Sequence, residues 1–95
     1  MSSNILFIHL MEECAEVIQA TSKMLRFTPD HKFESYEHTN FEHFMEEYHQ
    51  LMALLLMLKS VDKRIEVDNQ KILDKTAKII KGLETSAKLH KSVTE

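Results

Sequence analysis

Residues 5–26 read ILFIHLMEECAEVIQATSKMLR, and this stretch decides the fold. At about 100° per residue its apolar side chains fall on one face, which is typical of an amphipathic helix. The members of that face are Leu6, Phe7, Leu10, Met11, Cys14, Val17, Ile18 and Leu25. Pro29 follows, with Thr28 and Asp30 as turn residues, so we predict a first helix over residues 5–26.

Two more helical segments follow this one. Residues 41–60 carry a second apolar stripe, and Asn40 is a suitable N-cap. Its members are Phe44, Leu51, Leu55 and Leu58, and Leu54 extends the apolar surface on the other side. Residues 68–89 form a third helix with Asp68 as its N-cap. The aperiodic residues 27–39 are long for a connection between helices, and such loops are often functional.

The composition agrees with an all-α fold. There is one Gly and one Pro in 95 residues, and 43% of the residues are hydrophobic. Strand-rich folds need turn residues every 8–12 positions or so, and this chain lacks them. A domain this small buries only a modest fraction of its surface. We therefore predict a single domain over residues 1–95, whose three main helices form a bundle completed by oligomerisation.

Charge and hydropathy exclude several classes of partner. The net charge is −3, which gives no general attraction for nucleic acid polymers or an anionic membrane. The longest strongly apolar run, residues 51–58, is far below the roughly 20 residues that span a bilayer. The start of the chain has no basic segment typical of a signal peptide. We expect a cytoplasmic protein, or one in the host cytoplasm if a phage encodes it.

Acidic residues near the apolar stripes are the candidate chemistry. Glu13 and Glu16 are one turn apart beside the core face of the first helix, and Glu47 falls on the apolar face of the second. Burying an unpaired charge costs several kcal/mol, on the order of what a whole small domain has in stability. A helix pair that sets these three carboxylates opposite one another at a bundle interior predicts a divalent cation, and oxygen ligands favour Mg²⁺ or Mn²⁺ over zinc.

Ordinary structural roles remain alternatives at this point. Glu12, Glu13 and Glu16 are also what a solvated helix face looks like. An ion pair with a lysine of the third helix would compensate Glu47. In the loop, Phe33 and Tyr36 are suited either to stacking on a base or to covering the end of the bundle.

The two acidic segments resemble those of the all-α nucleoside triphosphate pyrophosphohydrolases of the MazG-like kind. That family, which includes dimeric dUTPases and dCTP pyrophosphatases, shares Glu-Glu-x-x-Glu on one helix and Glu-x-x-Asp on the next. The stretch Glu12-Glu13-Cys14-Ala15-Glu16 matches the first motif fully. In Glu47-Tyr48-His49-Gln50, glutamine replaces the aspartate, and Thr28-Pro29 stands where the family has a glycine.

The resemblance implies Mg²⁺-dependent hydrolysis of a nucleoside triphosphate between the α- and β-phosphates, in a homodimer or homotetramer. It implies metal ligation by Glu13, Glu16, Glu47 and Gln50, with three carboxylates instead of four. It implies Glu12 or Glu46 as a helper of the attacking water. Candidate substrate contacts are Lys23, Arg26, Phe33 and Tyr36. The alternatives are a relative that binds nucleotides without cleaving them, and a purely structural helical module.

Overall fold

The computed structural model describes residues 3–94, with side chains through residue 91, and in that part every regular element is an α-helix. The helices are α1 (Ser3–Phe27), α2 (Asn40–Val61) and α3 (Asn69–Thr94). The all-α prediction is confirmed. The predicted ends of α1 and α2 are correct to within two residues, whereas α3 continues five residues beyond the predicted end at 89. Residues 1, 2 and 95 of the predicted domain lie outside the described range.

The chain divides into two compact units, Met1–Ile65 and Glu66–Glu95. In the first unit, α1 and α2 form an antiparallel hairpin. Leu6 near the start of α1 packs on Leu54 and Leu58 near the end of α2. Leu10 and Ile65 pack against this cluster from the side. The core therefore lies at the end of the hairpin that is far from the loop.

The buried side of α1 follows a heptad-like pattern. Positions 3, 6, 10, 13, 17, 20 and 24 are buried or half-buried. Their alternating spacing of three and four residues is that of two helices packed side by side. The predicted apolar face was wrong in part, because Met11, Ile18 and Leu25 are 74%, 69% and 83% exposed. The helix is apolar on two sides, and the hairpin covers the side that contains Glu13.

The same correction applies to α2. Its buried or half-buried positions include 40, 44, 47, 51, 54 and 58, again with the alternating spacing. Leu54, predicted to extend the apolar surface, is buried, whereas Leu55, a member of the predicted stripe, is 41% exposed. Glu47 stands in the middle of the buried stripe, at 9% exposure. The burial that the sequence predicted for Glu47 is confirmed.

The loop ends of both helices have specific geometry. Thr28, directly after α1, has φ of 74°, the left-handed conformation that glycine usually supplies at the end of a helix. Thr39, and not Asn40, is the N-cap of α2. Its hydroxyl accepts from the Glu42 backbone N–H at 3.1 Å, and its own N–H donates to the Glu42 carboxylate at 2.9 Å. These bonds from Thr39 lower the pKa of Glu42.

Asn40 has a different role from the predicted cap. It is 3% exposed, and its Nδ2 donates to the carbonyl oxygen of Thr28 at 3.0 Å. An amide in this position ties the start of α2 to the end of α1. The pairing satisfies one of the carbonyls that a helix end leaves without an intrahelical partner.

The second unit consists mainly of α3. Asp68 caps it as predicted, because its carboxylate accepts from the Lys71 backbone N–H at 3.2 Å. Every side chain that is described from 69 to 91 is exposed. Over residues 3–94, none of the helices combines enough length and hydropathy to cross a membrane.

Candidate functional site

Glu47 is a buried carboxylate with an incomplete set of partners. One of its oxygens, Oε1, lies 3.4 Å from His43 Nε2, one helical turn earlier. The other, Oε2, is inaccessible to solvent and has no hydrogen-bond partner. A buried oxygen of this kind costs about 1–3 kcal/mol when nothing satisfies it. The position therefore calls for a specific explanation, such as an ion.

Glu13 on α1 has the same feature. Its side chain is half-buried, and Oε2 is inaccessible and without a hydrogen-bond partner. Position 13 belongs to the stripe that α1 turns towards α2, and position 47 belongs to the corresponding stripe of α2. Each helix of the hairpin thus places one unpartnered carboxylate oxygen on its packed face.

A groove opens beside Glu13 between the two helices. It has a volume of about 480 Å³, which is within the usual range of small-molecule sites. Its lining is mostly apolar, with three polar side chains, and consists of Ile5, Leu6, His9, Glu13, Gln50, Ala53, Leu54 and Met57. Glu13 and Gln50, both predicted as metal ligands, share this groove. Sequence reasoning did not find the apolar wall, although Ile5, Ala53 and Met57 flank the buried stripes.

The other predicted acids lie outside the packed faces. Glu16 is exposed in the single chain, so the packed faces of the hairpin do not bring it together with Glu13 and Glu47. Residue 16 lies about 60° round the helix from residue 13 and about 100° from residue 17, at the edge of the buried stripe. Glu12 is also exposed and lies 3.5 Å from His9 Nδ1 through its Oε2. Glu46 is exposed on α2.

The four candidate substrate residues surround the loop end of the hairpin. Lys23 Nζ donates to the Tyr36 hydroxyl at 3.5 Å and lies 4.7 Å from the centre of that ring. Phe33 is half-buried and makes edge-on contacts with its aromatic neighbours Phe27, His31 and Tyr36. Arg26 lies over Phe27, 5.1 Å from the ring centre. The contacts of Phe33 fit the alternative in which it covers the end of the bundle.

Glu13 and Glu47 offer oxygen donors of the type that hard cations bind. Mg²⁺ is commonly bound through one or two carboxylates and completed by waters and phosphates, and the unpartnered oxygens of Glu13 and Glu47 suit that role. In the part of the chain that the structure describes, no group of three or more His, Cys, Asp or Glu side chains is arranged to hold a metal ion. The residues therefore fit a cation that substrate phosphates help to bind, and do not fit a metal enclosed by protein ligands.

Comparison of the chain with protein-family models, with curated proteins and with solved structures gives no significant match.

Proposed function

We propose that this chain is a Mg²⁺-dependent nucleoside triphosphate pyrophosphohydrolase that releases a nucleoside monophosphate and pyrophosphate. The observation that carries the proposal is the pair of buried carboxylate oxygens, Glu13 Oε2 and Glu47 Oε2, which have no hydrogen-bond partner. Keeping both in the packed faces of a small hairpin reduces its stability. A function that uses their negative charge accounts for that cost.

The hairpin offers separate surfaces for the parts of a nucleotide. Glu13 and Glu47 would hold the cation, which supplies charge neutralisation at the phosphate oxygens. The apolar groove suits the nucleoside, and the Gln50 amide on its wall both donates and accepts hydrogen bonds. Lys23 stands near the loop end with its ammonium group available for phosphate oxygens.

Nucleotide binding without hydrolysis is the second candidate. Two observations favour it over what the resemblance alone implies. Gln50 replaces a carboxylate, and Glu16, the third acid of the first motif, is exposed. Fewer negative ligands weaken the binding of a hard cation. In this variant of the proposal, the groove binds the nucleotide and no product forms.

We further propose that the active form is a cytoplasmic homodimer or homotetramer. In support, α1 has a second apolar side, where Met11, Ile18 and Leu25 are each more than two-thirds exposed. Exposed apolar surface of this kind marks interaction sites. A negative charge there, as in Ile18→Glu, should lower the mass measured by light scattering after gel filtration. An unchanged mass would count against an interface on that side of α1.

Product analysis separates the candidates. The protein is incubated with nucleoside and deoxynucleoside triphosphates and Mg²⁺ or Mn²⁺, and the products are resolved by chromatography. We expect monophosphate and pyrophosphate, with a loss of at least about 100-fold in Glu13→Gln and Glu47→Gln, in line with removing a group that supports bound cation charge. Glu37→Gln, which removes an exposed loop carboxylate, is the matched control and should retain activity.

Thermal unfolding tests whether these variants are folded. Without cation, Glu47→Gln should unfold at a higher temperature, because an amide is cheaper to bury than a carboxylate. With Mg²⁺ and nucleotide, the wild-type protein and Glu37→Gln should gain further stability through binding, and Glu47→Gln should not. Nucleotide-dependent stabilisation without product would indicate the binding-only candidate. Neither stabilisation nor product across the panel would leave a structural module.

A further inference from the structure

A small pocket at the loop end of the hairpin is lined by three side chains that can carry positive charge. They are Lys23 of α1, His38 of the loop and His43 of α2, and Tyr36 and Asn40 complete the lining. The pocket has a volume of about 60 Å³. A single water molecule needs roughly 10–15 Å³, whereas whole ligands usually need at least about 300 Å³. The space suits one compact polar group.

The charge of Lys23 is not balanced within the described residues. Both contacts of its ammonium group are with Tyr36, one to the hydroxyl at 3.5 Å and one to the ring face at 4.7 Å. Neither the phenol nor the ring carries a negative charge. The aromatic ring holds the ammonium group at the pocket while leaving donor capacity free, since Lys has three N–H donors.

Two acids near the pocket already make contacts of their own. The Glu42 carboxylate accepts from the Thr39 backbone N–H, within the cap of α2. Glu47 reaches His43 through Oε1 only, at 3.4 Å. The Asn40 amide donates to the Thr28 carbonyl oxygen. Lys23 is therefore the lining cation without an acidic contact among the described residues, and a cation at a small concavity favours an anion.

We infer that this pocket binds a phosphate group, with Lys23 as its principal cationic contact. The inference rests on the proposed function, in which the occupant is a phosphate of the bound triphosphate. His43 joins the pocket to Glu47, so a phosphate held there lies one side chain away from a proposed cation ligand. Lys23 and the carboxylates thereby act on the same phosphate chain from two sides.

Titrations without any divalent cation test whether the pocket binds a phosphate group. Inorganic phosphate and a nucleoside triphosphate are added separately to the full chain in EDTA, and binding is followed by backbone amide NMR shifts. Lys23→Met should weaken both ligands on the order of tenfold, the equivalent of one charge-assisted hydrogen bond. Lys59→Met removes one exposed lysine near the other end of α2 and should leave both affinities unchanged.

Three results would overturn the inference. One is an equal loss of affinity in the two lysine variants, because that result would indicate general charge attraction and not a specific contact. Another is the absence of phosphate-dependent shifts at Tyr36 and His43. The third is a loss for inorganic phosphate but not for the triphosphate, which removes the nucleotide as occupant. Lys23→Gln and thermal unfolding check that the variant folds. Because no cation and no turnover are involved, failure here is distinguishable from failure of the proposed hydrolysis.

Discussion

The hairpin of α1 and α2 differs from the third helix in how much of its apolar surface is buried. In the hairpin, Leu6, Ala20, Leu54 and Leu58 are buried against the neighbouring helix. In α3, apolar residues such as Ile72, Ile79 and Leu83 are at least half exposed. Both regions contain an amphipathic helix with a capped start, α2 in the hairpin and α3 in the second unit. Only one of them has its apolar face covered within a single copy.

The difference shows where the stability of this chain resides. Isolated helices are marginal in water, and packing of an amphipathic face supplies most of their stability in proteins. The hairpin therefore gains stability from its packed face, while the described side chains of α3 are exposed. Substitutions in the two regions should differ sharply in their effect on unfolding.

The largest effect is expected at Leu58. This side chain is 2% exposed and belongs to a core of few residues. Leu58→Ala should lower the free energy of unfolding of the hairpin by about 3 kcal/mol, from lost apolar burial and the cavity left behind. Leu83→Ala on α3, where the leucine is 65% exposed, should change it by less than about 0.5 kcal/mol. Urea unfolding followed by circular dichroism measures both, and equal losses would show that the comparison is wrong.

A stabilising change is expected where α1 ends. Thr28 adopts φ of 74° and precedes a proline, and a β-branched residue is strained in the left-handed region. Thr28→Gly should stabilise the hairpin by about 1 kcal/mol, as relief of that strain outweighs the added freedom of the unfolded chain. Thr76→Gly, inside α3, is the opposite control and should reduce helix content. Destabilisation by Thr28→Gly would mean that the threonine makes contacts worth more than the strain.

Helix class and helix positions follow from the sequence because periodicity and turn residues are local signals. The three helices, the cap at Asp68 and the burial of Glu47 were predictable in that way. The buried face of α1 was not, because that helix is apolar on two sides. Position 18 looks as suitable for a core as position 6, yet Ile18 is 69% exposed and Leu6 is 3% exposed. Only the choice of packing partner decides between the two sides.

The candidate site was predictable to a similar extent. The spacing of apolar residues placed Glu47 on the packed face of α2 and Glu13 beside that of α1, and both are at least half-buried. Glu16 lies about 60° round the helix from Glu13, beyond the edge of the buried stripe, and is exposed. The pocket around Lys23 could not be predicted, since it joins α1 to His38 and Asn40 across a loop whose path has no periodic signal. The metal ion, the nucleotide and the oligomer stay predictions.

The hairpin and α3 can also be compared through the N-caps of α2 and α3. Thr39→Ala removes the hydroxyl that accepts from Glu42 N–H, and should destabilise the hairpin by about 1 kcal/mol. Asp68→Ala removes the corresponding acceptor from α3. Because α3 has no buried side chain among those described, its cap should affect helix content and not the unfolding midpoint of the hairpin. A shift of that midpoint by Asp68→Ala would show that α3 unfolds together with the hairpin.

The smallest effect is expected at the polar turn after α2. The Arg64 side chain donates to both carboxylate oxygens of Asp62, at 3.0 and 2.7 Å, and its backbone N–H donates as well. These bonds lower the pKa of Asp62 from 3.8 to about 2. A carboxyl whose pKa is depressed on folding adds stability above pH 3.8, and loses it as the pH falls towards 2. Arg64→Met should raise the pKa of Asp62, measured by carboxyl carbon NMR, and make acid unfolding begin at slightly higher pH. Lys63→Met removes the neighbouring charge without those bonds, so a shift of equal size there would assign the effect to net charge instead of to the ion pair.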